Sequence, residues 1–126
     1  MDDDVRDALA RGRPLIDITT TGRRSGEPRR IEIVFHRIAG RYYISGSPVA
    51  DRTRAWLRNL EADPHFTFHL KGRVTADLPA TARIITDGAE RRVIFAEIVK
   101  TWTNQDVETM TRYAPLIEVT LDGLAA

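Results

Sequence analysis

The sequence predicts a mainly β (α+β) fold, an antiparallel barrel of about six strands with peripheral helices. Three observations carry this expectation. Apolar residues recur two apart in short runs, as in Phe66, Phe68 and Leu70 or in Ile117, Val119 and Leu121, the period of a half-buried strand. The runs are joined by turns marked with Gly or Pro, which suits antiparallel neighbours better than β-α-β crossovers. The helical stretches are few and do not alternate regularly with the strands, so they belong at the ends and flanks of a barrel.

Taken in order, Asp4 to Arg11 suits a short helix ended by Gly12 and Pro14. Leu15 to Thr20 follows as a strand, with Ile16 and Ile18 on one face and Asp17 on the other. Thr21 to Pro28 (T-G-R-R-S-G-E-P) reads as a loop. Arg30 to Ile38 resumes β character, Ala39-Gly40 makes a tight turn, and Arg41 to Gly46 completes a three-stranded meander. A helix carrying Trp56 and Leu60 then runs from an N-cap at Asp51 to a stop at Asp63-Pro64. His65 to Lys71 is the plainest strand. Val74 to Thr86 is another, with Pro79 suggesting an edge or a bulge. Gly88 to Trp102 carries a helical stripe of Ile94, Ile98 and Trp102, Gln105 to Arg112 suits a further helix, and Pro115 to Leu121 closes as a strand.

Length and composition set the outer bounds. A chain of 126 residues suits a single domain, 1–126, and 42% hydrophobic with 29% charged residues is an ordinary globular mixture. Nineteen basic against eighteen acidic residues leave a net charge of +1, which argues against a general nucleic-acid binder. The absence of cysteine removes disulfides, thiolate nucleophiles and Cys-based metal sites. No apolar run approaches the ~20 residues of a membrane span. The acidic start Asp2-Asp3-Asp4 is unlike a secretory leader, so the expected compartment is the cytoplasm.

Side chains offer little chemistry of their own. His65 and His69 lie on one strand face but ~13 Å apart, too far to share one metal ion. They read as solvated or hydrogen-bonded surface histidines, and no metal is expected. Ser45-Gly46-Ser47 does not match a nucleophile elbow, and the acidic residues are scattered as solvated charges. No residue is singled out as catalytic. An enzyme built this way draws its chemistry from a bound cofactor. The strongest local signal is the first hairpin, where Arg23, Arg24, Arg29 and Arg30 gather around Gly22 and Gly26 with only Glu27 to offset them. Like charges held together suit an anionic partner. Arginine presents a planar fork to phosphate or carboxylate oxygens, and glycine lets backbone amides come close. The plainer reading is a solvated polar turn.

The stretch L-I-D-I-T-T-T-G-R-R-S-G-E-P-R-R-I-E, Leu15 to Glu32, resembles the opening signature of the deazaflavin-dependent nitroreductase and quinone reductase family, T-T-x-G-R-x-[ST]-G-x-x-R. The likeness continues in Tyr42-Tyr43-Ile44-Ser45, in Ala55-Trp56 through Asn59-Leu60 and Ala62-Asp63-Pro64, and in Pro115 to Val119. It implies a six-stranded split β-barrel of the FMN-binding split-barrel type. It also implies an oxidoreductase that passes a hydride from reduced coenzyme F-420, an 8-hydroxy-5-deazaflavin, to a quinone, nitroaromatic or activated alkene. Carried over by position, Arg23, Arg24, Ser25 and Arg29 would hold the cofactor's phosphate and acidic tail. Ser45, Gly46 and Ser47 would lie beside its ring, and Trp56 and Asn59 would support the pocket or touch the cofactor. Homodimers are common among such barrels.

The sequence departs from the family where Pro48 to Arg54 replaces a Gly-rich loop with His-Pro, and where Tyr113 alone stands between Trp102 and Pro115 in a region often rich in tyrosine. Flavin mononucleotide, also phosphate-bearing, would satisfy the same arginines. Two readings of other classes stand beside the reductase. A non-catalytic carrier of the cofactor or another small amphiphile would bind without turnover. A nucleic-acid-binding barrel would use Phe66 and Phe68 as stacking platforms and bind single strands in a salt-sensitive way.

Overall fold

The computed structural model describes residues 3–11, 15–48 and 54–122. Ten elements follow one another: α1 (Asp3–Arg11), β1 (Leu15–Thr21), β2 (Pro28–Ile38), β3 (Arg41–Ser45), α2 (Ala55–Ala62), β4 (His65–Leu70), β5 (Ala76–Ile84), α3 (Gly88–Ile98), α4 (Val107–Tyr113) and β6 (Leu116–Leu121). The strands close into an antiparallel barrel in the order β1-β2-β3-β6-β5-β4. Gly12, Pro14 and Asp51, which the sequence suggests as helix punctuation, lie outside the described residues.

The alternation seen in the sequence places the core. Ile16 and Ile18 of β1, Ile33 and Phe35 of β2, Ile44 of β3, Phe66, Phe68 and Leu70 of β4, and Ile117, Val119 and Leu121 of β6 all turn inward. Phe35 meets Phe68 edge to face with ring centroids 5.3 Å apart, the arrangement aromatic quadrupoles favour. Val5, Ala8 and Leu9 of α1 and Leu60 of α2 complete this interior. A second apolar cluster lies outside the barrel, where Tyr43, Ile85 and Leu116 pack under Ile94, Phe95, Ile98 and Met110 of α3 and α4. The β2–β3 turn takes positive φ at both central residues, Ala39 (52°) and Gly40 (79°), the backbone twist that matches a tight hairpin.

β2 is longer than its partner β3, and this asymmetry makes the site. Pro28 to Val34 pair with β1, but β3 pairs only with Phe35 to Ile38. Among the described residues, no strand pairs with the other edge of the first half of β2, and α2 lies beside that opening. β5 behaves similarly at one end: Ala76 to Leu78 pair with β4 alone, and the ladder with β6 begins at Ala80, with Pro79 O accepting from Asp122 N at 2.9 Å just past β6. Pro79 therefore sits where this ladder ends, a place that tolerates a missing N–H.

Several expectations need correction. α3 ends at Ile98, not Trp102; a chain of tight turns follows, with Thr101 N and Trp102 N both donating to Ile98 O. Residues 99–106 thus separate α3 from α4, whose N-cap is Asp106. α2 starts at Ala55, with extended Arg54 at its N-cap position and no side-chain cap hydrogen bond from it. His69 is not a surface histidine. It is buried, with Nε2 2.6 Å from Thr19 Oγ1 and Nδ1 2.7 Å from Asp77 Oδ1. Nor are all the carboxylates simply solvated: Asp17 takes hydrogen bonds from Arg30 and Lys71, and Glu118 and Glu90 both engage Arg83.

Candidate anion and cofactor site

The first hairpin folds by its own hydrogen bonds. Gly22 N donates to Glu27 O and Gly26 N to Gly22 O, both at 2.8 Å, which closes the turn between β1 and β2. A Cβ at Gly22 would stand 2.7 Å from Ser25 Oγ and 3.1 Å from Glu27 O, so a larger residue there would have to displace the turn. Gly26 has φ of +71°, a conformation that favours glycine. Ser25 Oγ accepts from Glu27 N at 3.1 Å, which keeps its own hydroxyl proton available.

Tertiary contacts then fix the hairpin against α2. Asn59 is buried, and its amide is used at both ends: Nδ2 donates to Thr20 Oγ1 and Oδ1 accepts from Arg23 N, each at 3.0 Å. The backbone leading into the arginines is thereby held to a helix 36 residues further on. Thr20 is the residue that sequence reasoning missed. Its signal was the parity of Ile16 and Ile18, which puts Thr20 on the inward face, where a hydroxyl needs a partner.

The result is a pocket of about 360 Å³ lined by Arg23, Arg24, Ser25, Arg29, Trp56 and Asn59, with Gly22, Arg30, Ile31 and Ala55 completing its walls. Among the described residues, no carboxylate pairs with Arg23 or Arg24. Arg29 has only a 3.8 Å contact with exposed Glu27. Arg30 is different: its Nε donates to Asp17 Oδ2 at 2.9 Å, so it belongs to a barrel-wall ion pair and not to the free positive charge of the hairpin. Lys71 and Arg30 together hold the Asp17 carboxyl below its ordinary range, Lys71 contributing most. Trp56 is half-buried, packed against the barrel core on one side and facing the pocket on the other.

Ser45, Gly46 and Ser47 are not among the residues lining this pocket. The Ser45 hydroxyl is buried and donates to Pro115 O at 2.8 Å. Gly46 lies against Pro115 and the Arg54 guanidinium, 3.3–3.5 Å from where a Cβ would stand. Ser47 O accepts from Arg54 Nη2. The strand end therefore meets α2 at Arg54, the residue before Ala55 and Trp56 of the pocket wall.

The closed six-stranded antiparallel barrel with flanking helices is a split-barrel-like fold. The comparisons name the branch. The sequence model for "F420H(2)-dependent quinone reductase" matches residues 5–121, and the chain belongs to that family. It is thus an oxidoreductase using reduced coenzyme F-420 as hydride donor to a small organic acceptor. Among solved structures, an F-420-dependent reductase is 24% identical with TM-score 0.63, the match covering 85% of this chain and 94% of that one. A structure described as a domain-swapped dimer is also 24% identical, with TM-score 0.64 and coverage of 94% and 98%. A conserved hypothetical protein from Mycobacterium tuberculosis is 15% identical with TM-score 0.74, covering 97% of this chain and 81% of that one. These likenesses establish the fold.

Proposed function

We propose that the hairpin pocket receives the phosphate and acidic tail of the coenzyme through Arg23, Arg24, Ser25 and Arg29. The observation that carries this is the charge of Arg23 and Arg24, which no carboxylate pairs with among the described residues, on a loop that Asn59 holds in place beside Arg29. The donor set fits the group. Guanidinium forks and a serine hydroxyl match phosphate and carboxylate oxygens, and each charge-assisted bond contributes on the order of 1.5–3 kcal/mol.

The coenzyme, when bound, supplies a hydride. Everything else falls to the chain. Trp56 gives the pocket an apolar wall that excludes water, and Asn59 positions the loop; with both ends of its amide engaged, it is a brace and not a donor to the ligand. The strand end Ser45-Gly46-Ser47, which meets α2 at Arg54, would lie beside the ring. The acceptor is a quinone, a nitroaromatic or an activated alkene, as the family resemblance implies, and residues 1–126 act as one cofactor-binding domain. A homodimer is our reading of the assembly, supported by the neighbour described as a domain-swapped dimer. No described helix is long and apolar enough to cross a membrane. The compartment we propose is the cytoplasm, which suits a chain that relies on no disulfide.

Equilibrium titration with coenzyme F-420 and with flavin mononucleotide, followed by turnover with a quinone, tests the reading. Tight deazaflavin binding with quinone-dependent oxidation supports it. Binding without turnover favours the carrier, and preference for flavin mononucleotide reassigns the cofactor.

A further inference from the structure

The end of β2 away from the hairpin pocket carries a second concentration of arginine. There β6 runs past the start of β3: the last pair of their ladder is Tyr42 with Val119, while Thr120 and Leu121 pair with β5 alone. α1 lies across this corner, and a cleft of about 460 Å³ remains between α1, the β2–β3 turn and the end of β6. Leu9, Tyr42 and Leu121 give it an apolar floor. Its rim brings together Arg6 of α1, Arg37 near the end of β2 and Arg41 at the start of β3, all exposed. One carboxylate, Glu118, stands beside them, and it is already engaged. Arg83 donates to Glu118 Oε1 through Nε at 3.0 Å and Nη2 at 2.8 Å, while Arg41 Nη1 lies 3.7 Å from Oε2. Among the described residues, no carboxylate pairs with Arg6 or Arg37.

Three guanidinium groups drawn from three elements repel one another, and solvent screens that repulsion only in part. A compact dianion matches them, because guanidinium forks suit phosphate oxygens and three forks exceed what a single carboxylate can engage. The apolar floor adds that the ligand carries an organic part, and the volume falls in the range that takes small organic molecules. We propose that this cleft binds a small phosphate monoester, with its dianion among Arg6, Arg37 and Arg41 and its organic part on Leu9 and Tyr42. A membrane surface fits less well. The exposed large apolar side chains of the described residues, Leu15, Val93 and Tyr113, do not line the cleft, so nothing beside the arginines would insert between lipids. The cleft shares no lining residue with the hairpin pocket, and Arg37 lies ~26 Å along β2 from Arg29. The proposal therefore stands whether or not that pocket holds a deazaflavin.

Proton–nitrogen correlation spectra of the full chain, titrated with 1-naphthyl phosphate, test this, because amide shifts report where the probe sits. The expected result is saturable movement of the Gly40, Arg41 and Thr120 amides, read separately from any movement at Gly22 and Gly26. 1-Naphthol, the same ring without the phosphate, should bind there at least about tenfold more weakly. Arg6→Gln and Arg37→Gln should each weaken the affinity read at Gly40 about tenfold, through loss of one charge-assisted contact. Arg29→Ala should leave that affinity unchanged. Both rim arginines are exposed, so the variants should stay folded, and melting curves check this. No saturable movement at Gly40, movement confined to Gly22 and Gly26, equal affinity for 1-naphthol, insensitivity to either rim substitution, or loss of binding in Arg29→Ala would each overturn the proposal.

Discussion

At the scale of single residues, the site separates side chains that would touch a ligand from side chains that place them. Arg23, on the hairpin loop, and Arg29, near the start of β2, are both exposed and contribute little to any core. Arg23→Ala and Arg29→Ala should each weaken coenzyme binding roughly ten- to hundredfold with unchanged melting temperature. The loss should shrink as salt rises, because screening already weakens the wild-type contact. Asn59→Ala should behave otherwise. It strands Thr20 Oγ1 and Arg23 N, costing on the order of 2 kcal/mol of stability, and loosens the loop, so melting temperature and affinity fall together. Trp56 is half-buried. Trp56→Ala should therefore cost roughly 1.5–3 kcal/mol, towards the lower range for an apolar side chain, and also open the pocket wall. Calorimetric titration beside melting curves separates the three behaviours. The arginines and Gly22 and Gly26 were legible because the hairpin is local. The role of Asn59 was legible only through the resemblance, because its partner Thr20 lies 39 residues away and only the fold brings them together.

Among elements, the alternating strands were the most legible part of the chain, since period-two burial is written directly in β1, β4 and β6. Helix ends were less so. The apolar stripe through Trp102 continued the helical pattern past Ile98, but Trp102 packs from a turn against the outer cluster and stacks on His36, with ring centroids 5.9 Å apart. Periodicity cannot tell a helical stripe from a turn that happens to return to the same face. Asp87 caps α3 by accepting from Glu90 N at 2.8 Å. Asp87→Ala should lower stability by about 1 kcal/mol without changing coenzyme affinity, measurable by urea unfolding. Across β1, β2 and the residue after β4, Asp17 joins Arg30 and Lys71. Its folded-state pKa lies below the ordinary value near 3.8, so its stabilising effect is present above that value and is lost as pH falls through the lower, folded one. Asp17→Asn should therefore be less stable than the wild type at pH 7, and the difference should vanish in strong acid. A gap that persists at low pH would assign the effect to packing.

For the whole molecule, closure of the barrel is what sequence pattern could not supply. The pairings of β1 with β4 and of β3 with β6 join segments about fifty and seventy residues apart, and no local signal specifies them. The short β3 beside the long β2 was invisible for the same reason, although it creates the opening on which the functional reading depends. The cleft beside α1 gathers Arg6, Arg37 and Arg41 and was likewise beyond sequence reasoning. The hairpin motif, Thr19 to Arg29, carries the family and with it the split barrel, which periodicity alone does not specify. If the protein is a homodimer, sedimentation equilibrium should give twice the 14.2 kDa chain mass, and a 14.2 kDa species at high concentration would contradict it. The central claim, that the arginine hairpin holds the anionic end of the coenzyme, is tested most directly by titrating coenzyme F-420 into the wild type and Arg29→Ala at low and high salt. The account predicts an affinity at least about tenfold weaker in the variant at low salt, with the gap narrowing as salt rises. Equal affinity at low salt, with both proteins folded, would make the hairpin a solvated turn and contradict the account.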